Sequence, residues 1–126
     1  MERISTIISE IYKKFLPIAE KGEIQLDLDL NSPDELIENT EQLIQDIESE
    51  LNSALARNPK GHITIALRRH KILITDSGTT LSRTMCALLS TGRIFVKSRP
   101  GFGTTVEIDI SRHEAIDSKT SDKSPK

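Results

Sequence analysis

The chain has no tryptophan, one tyrosine and three phenylalanines among 126 residues. Base-stacking surfaces need exposed rings, so this scarcity argues against a nucleic-acid partner. The single cysteine, Cys86, excludes an internal disulfide and is consistent with a reducing compartment. No apolar run is long enough to span a bilayer. The N-terminus alternates charges with isoleucines and lacks the pattern of a cleaved signal. Charge also nearly cancels, with 17 Lys and Arg against 19 Asp and Glu. No strong field is then available to recruit nucleic acid or an anionic membrane. One Cys and three scattered His offer no zinc-ligand spacing. No serine sits in a glycine-flanked nucleophile elbow. These absences leave one cytoplasmic domain with one modest core.

What is present is periodicity. Ile4, Ile7, Ile8, Ile11, Phe15 and Ile18 recur on one helical stripe, with Pro17 expected to kink or end it and Gly22 to stop it. Ile24, Leu26, Leu28 and Leu30 alternate with polar residues as in a half-buried strand. A second helix is expected from Ser32 to Leu55, with Ser32 as cap, Pro33 in the first turn and Glu35 closing a capping box. Its buried stripe is Leu36, Leu43, Ile44, Ile47, Leu51 and Leu55. "HITIAL" and "KILITD" read as a hairpin joined through Arg68 to Lys71, "LSRTMCALLSTG" as a short helix ending near Gly92, and "RIFVKS" and "GTTVEIDI" as a hairpin turned by "RPGFG". Alternating strands bury one sheet face, so the three helices must share it. The expectation is an α/β two-layer sandwich with a mixed sheet. Residues 1–111 form this domain, and the polar stretch 112–126 is expected to be a disordered tail.

The order of these elements and four local motifs resemble the ATP-binding catalytic domain of sensor histidine kinases. That is the Bergerat-type fold shared with gyrase and mismatch-repair ATPases. "EIYKKFLPIAEKGEIQLDLDL" is similar to the opening helix and first strand, and "LIQDIESELNSALARNPKGHITIAL" to the asparagine-box helix and the strand after it. "ILITDSG" is similar to the first glycine box, and "STGRIFVKSRPGFGTTVEIDI" to the terminal hairpin with its Gly-x-Gly-Thr ending.

The resemblance implies a site, which is then matched residue by residue. The family's helix holds Mg²⁺ through an asparagine. Ser53 stands at that position and Ser49 one turn earlier, while the adjacent Asn52 lies about a quarter turn round the helix. Asp76 matches the adenine-reading aspartate and Gly78 the first glycine, while Thr80 replaces the next glycine. Gly103 and Thr104 lie in the terminal "GFGTT" turn, where a hairpin needs glycine for its own reasons. The flexible lid and the second, phosphate-holding glycine box are missing, because "DSGTT" runs straight into "LSRTMCALL".

The chain also begins at the family's opening helix, so the phosphoacceptor module is not expected in it, and the initial Met and polar tail are read as those of a whole chain. His113-Glu114 imitates the acceptor dipeptide but lies in the tail. His62 and His70 are expected as exposed turn or edge residues. Arg68, Arg69, Lys71, Arg93, Lys97 and Arg99 are expected to be a solvated edge.

The resulting expectation is a degenerate pseudokinase without kinase or ATPase activity. It would be a protein-interaction or regulatory module whose partner is a two-component signalling protein. Asp76, Gly78, Ser53, Asn52, Thr80, Gly103 and Thr104 would be a vestigial site with no cofactor. The alternative is a reduced adenine-nucleotide domain that keeps Asp76 and Gly78 for ATP or ADP, with Mg²⁺. A third is an ATPase completed by a partner. The pocket is left open or filled by side chains, and in the filled case Met85 and Leu81 are expected over Asp76.

Overall fold

A computed structural model describes residues 2–38, 40–57, 60–78, 81–90, 92–101 and 103–111. The core starts at α1 (Ile4–Lys21), which sets Ile4, Ile7, Ile8, Ile11 and Phe15 on one buried stripe. The helix does not end at Pro17. It continues through that residue and stops at Gly22, since a proline one turn from the end removes only one backbone bond. Ile18, expected on the stripe, is half exposed, and Ala19 is buried in its place. Here the chain folds back on the helix, and the Ile24 N–H donates to the Ala19 carbonyl at 2.8 Å. So close a return suits a methyl side chain.

The second helix does not begin at Ser32. Leu36–Ile37 form a short strand, β3, paired antiparallel with β1 (Glu2–Arg3), and α2 runs Glu41–Arg57. Glu35, expected to close the capping box, and its neighbour Asp34 serve other elements. Asp34 accepts from the Ser5 N–H at 3.0 Å and the Ser5 hydroxyl at 2.6 Å, capping α1 from outside. Burial pushes the Asp34 carboxyl up, but the Ser5 and Glu35 hydrogen bonds outweigh it and hold the group below the usual range. The Glu35 carboxylate accepts the His70 N–H at 3.0 Å. Leu36 is therefore exposed, while Leu43, Ile47 and Leu51 are buried and Ile44 and Leu55 pack against them.

The main sheet has the order β2 (Gln25–Asp29), β4 (His62–Arg68), β5 (Lys71–Asp76), β7 (Gly103–Asp109), β6 (Ile94–Arg99). β2 is parallel to β4, and the other pairs are antiparallel, which makes the sheet mixed. Its buried face carries Leu26, Ile63, Ile65, Leu67, Ile72, Ile74, Ile94, Val96, Val106 and Ile108, in one core with the stripes of α1 and α2. This is the expected two-layer sandwich.

On the other face charges meet in pairs: Arg68 with Asp29 at 2.9 Å, and Lys97 and Lys71 with Glu107 at 3.0 and 3.5 Å. Burial pushes Glu107 up, but the lysines outweigh it and hold it below the usual range. The Arg68 hydrogen bond, with a backbone N–H from Asn31, does the same for Asp29. His62 and His70 are exposed, beside Asp27 and Glu35.

α3 (Arg83–Leu89) is capped by Ser82, whose hydroxyl accepts the Met85 N–H at 3.1 Å. It buries no residue. Only Cys86, and Leu81 before the helix, pack partly against the core. Leu88 is 72% exposed and Met85 43%. Just beyond α3, the Ser90 hydroxyl accepts the Val96 N–H of β6 at 3.0 Å. No helix among the described residues is long and apolar enough to cross a membrane. The stretch expected as a tail, with His113 and Glu114, lies outside the described residues.

Candidate functional site

Asp76 is the last residue of β5, and the strand's period places it on the core face with Ile72 and Ile74. A buried carboxylate is costly unless every acceptor is matched. Here both oxygens are used. Oδ1 accepts the Gly78 N–H at 2.9 Å, and Oδ2 accepts from an Arg57 terminal nitrogen at 2.9 Å. Arg57 comes from the last turn of α2. The pair is out of solvent, with side-chain exposures of 17% and 1%. Among the described residues, the buried Arg57 Nε has no hydrogen-bond partner.

Sequence reading missed Arg57, which looked like a helix end. The available signal was indirect: an Asp at a buried strand position needs a cation, and Arg57 is the basic residue of the helix covering that strand. The groups expected over Asp76 were Met85 and Leu81, but Met85 is 43% exposed and the guanidinium takes the carboxylate. Leu81 is half-buried against the core, and its N–H donates to the Ser98 hydroxyl at 2.8 Å.

Gly103 and Thr104 meet Asp76 from β7. Asp76 pairs with Thr104 in register. Gly103 has φ +76°, and a Cβ there would run into the Asp76 carbonyl oxygen and lie 2.9 Å from its carbonyl carbon. The glycine is thus required by a backbone crossing. Thr104 is buried, and its hydroxyl shares a 3.1 Å hydrogen bond with Ser98. Thr80 lies outside the described residues.

On α2, Ser49, Asn52 and Ser53 are all exposed. By helical period Ser53 falls in the polar row of Asp46, Glu50 and Arg57, while Ser49 and Asn52 lie to one side of it. Asp46 is buried and receives the Arg93 Nε at 2.9 Å, which ties the segment after α3 to α2. Glu50 is half-buried between them. Burial raises its pKa, Arg57 lowers it, and Asp46 raises it again, with a net upward shift. Among the described residues, no three His, Cys, Asp or Glu side chains converge as a metal cluster. Two open grooves of about 390 and 400 Å³ lie over the solvent face of β7 and β6, sharing Glu107.

No family profile matches this sequence, nor does any curated protein. The fold, in contrast, has solved counterparts. The catalytic domain of the histidine kinase ThkA is similar at a TM-score of 0.71 and 15% identity, over 86% of this chain and 96% of that one. The cytoplasmic segment of the histidine kinase QseC gives 0.66 and 16%, over 86% and 70%. ThkA in complex with the response regulator protein TrrA gives 0.67 and 17%, over 90% of this chain and 42% of that one. The chain has the histidine-kinase catalytic-domain fold.

Proposed function

We propose that this histidine-kinase-like domain neither hydrolyses ATP nor transfers phosphate, and that it acts as a protein-interaction or regulatory module. The observation that carries the reading is the link from β5 to α3. Only residues 77–82 separate Asp76 from the first residue of α3. A lid and a phosphate-holding loop need a run of free backbone N–H groups, and this link has no length for one. The donor set agrees. Ser49 and Ser53 offer hydroxyls on an exposed helix face, and the Asp76 carboxylate is already used by a guanidinium. These residues do not fit a Mg²⁺-bound triphosphate.

Interaction with a protein is supported by α3, which presents Met85, Leu88 and Leu89 to solvent. A two-component signalling protein is the partner class of choice, because one of the similar structures is a kinase in complex with a response regulator. The second reading is an adenine-nucleotide site without phosphate chemistry, favoured by the buried Asp76 with the Gly78 N–H beside it. Calorimetric titration of the wild-type protein with ATP and ADP, with and without Mg²⁺, tests both. No binding at millimolar nucleotide is expected. A micromolar Kd that depends on Mg²⁺ would overturn the proposal.

A further inference from the structure

We infer that Arg57 is an internal occupant of the Asp76 site, its guanidinium standing where the amino edge of a planar base would otherwise dock, and that removing it reopens the site to such a base. The inference rests on the base-site reading of Asp76 given above.

The chemistry is that of the carboxylate. Asp76 Oδ1 is fixed by the Gly78 N–H, which leaves Oδ2 as the acceptor for an incoming donor. That oxygen takes one terminal N–H of Arg57 at 2.9 Å. A guanidinium nitrogen and the exocyclic amine of an aminopurine are both planar N–H donors, so one can substitute for the other at a single acceptor. The arrangement also shows that Arg57 is not a fully matched core residue. Among the described residues its buried Nε meets no partner, a cost that a purely structural ion pair would avoid. Only one guanidinium nitrogen meets the carboxylate within hydrogen-bonding distance, so the fork that makes Arg–carboxylate pairs strong is not used. The residue ends α2 and is followed by the short connection to β4, so its side chain enters the site from the helix terminus.

The test compares wild type with Arg57→Ala, by calorimetry and amide NMR. The probes are adenosine and purine riboside, which lacks the amino group. Adenosine carries no phosphate, so its outcome does not depend on how the chain handles triphosphate; Mg·ATP binding by wild type without shifts at Ser77 and Gly78 would defeat the proposed function alone, and binding that shifts them would defeat both. The expected result is adenosine affinity at least tenfold tighter in Arg57→Ala than in wild type, with shifts at Ser77 and Gly78 and no gain for purine riboside. Should the alanine variant not fold, adenosine-driven refolding reads the same equilibrium. Arg57→Gln, which shortens the donor arm and removes its charge, is measured beside it. Equal adenosine affinity in wild type and a folded variant overturns the inference, as does an equal gain for purine riboside. An unfolded alanine variant that adenosine does not refold, together with a folded Arg57→Gln that gains nothing, does so too.

Discussion

Asp76 and α3 lie at the two ends of one short link and are opposites in how their side chains are placed. Around Asp76 both carboxylate oxygens have donors, and the backbone of β7 crosses at contact distance. Along α3 no side chain is buried, and the largest apolar groups point into water. The difference is one of cost. A buried carboxylate left without a partner penalises the folded state by several kcal/mol. An apolar group that stays wet is as wet in the unfolded chain, so its exposure costs folding almost nothing. A site can therefore lose the cover of a surface helix freely, but a buried charge must be given another partner.

The largest expected effect comes from taking that partner away. Arg57→Ala should lower unfolding free energy by about 3–5 kcal/mol, because it strands Asp76. Chemical denaturation measures it, and a loss under about 1 kcal/mol would show that water reaches the carboxylate. Next is Gly103→Ala, which sets a Cβ against the Asp76 carbonyl at a positive φ. A cost of about 2 kcal/mol or more is expected in the same assay.

Smaller still is Glu50→Gln. Burial raises the Glu50 pKa above its ordinary 4.5. Folding then favours the protonated form, and the stability this group contributes is full below about pH 4.5 and lost as pH rises through the folded value. The glutamine variant should melt slightly higher than wild type at pH 7 and equal it near pH 4. Melting curves at both values decide, and a lower midpoint at pH 7 would mean that the carboxylate is stabilised by Arg57 rather than penalised. Least of all, Leu88→Ser on α3 should change stability by under about 0.5 kcal/mol. A larger loss would place α3 in the core and erase the contrast.

Most of this architecture was legible because period and burial agree. Ile63, Ile65 and Leu67, then Ile72 and Ile74, alternate on the core side of the paired strands. The stripe of α1 was equally clear up to Phe15, where the returning chain favoured Ala19 over Ile18. The start of α2 was misread for a definite reason. Ser32 and Glu35 make a good capping box in any sequence window, but here Glu35 bonds the His70 N–H and its neighbour Asp34 bonds Ser5, 35 and 29 residues away in the chain. No local pattern encodes such a partner. Arg57 escaped for the same reason, since its role is defined by a strand that begins beyond the following loop. Asp76 ends the strand expected from "KILITD", on the face its period requires.

The Ser90 hydroxyl at the Val96 N–H has one more consequence. β6 is one of the two outer strands of the sheet, and Val96 is in its middle. An unprotected outer strand offers a row of N–H and C=O groups onto which another chain can zip. Here a side chain from beyond α3 already holds the central donor, so an added strand would have to displace Ser90 before it could pair. Assembly by strand addition is thereby disfavoured on that border. A partner that approaches the β6 border is left to meet it through side chains, and that border is kept from seeding fibres.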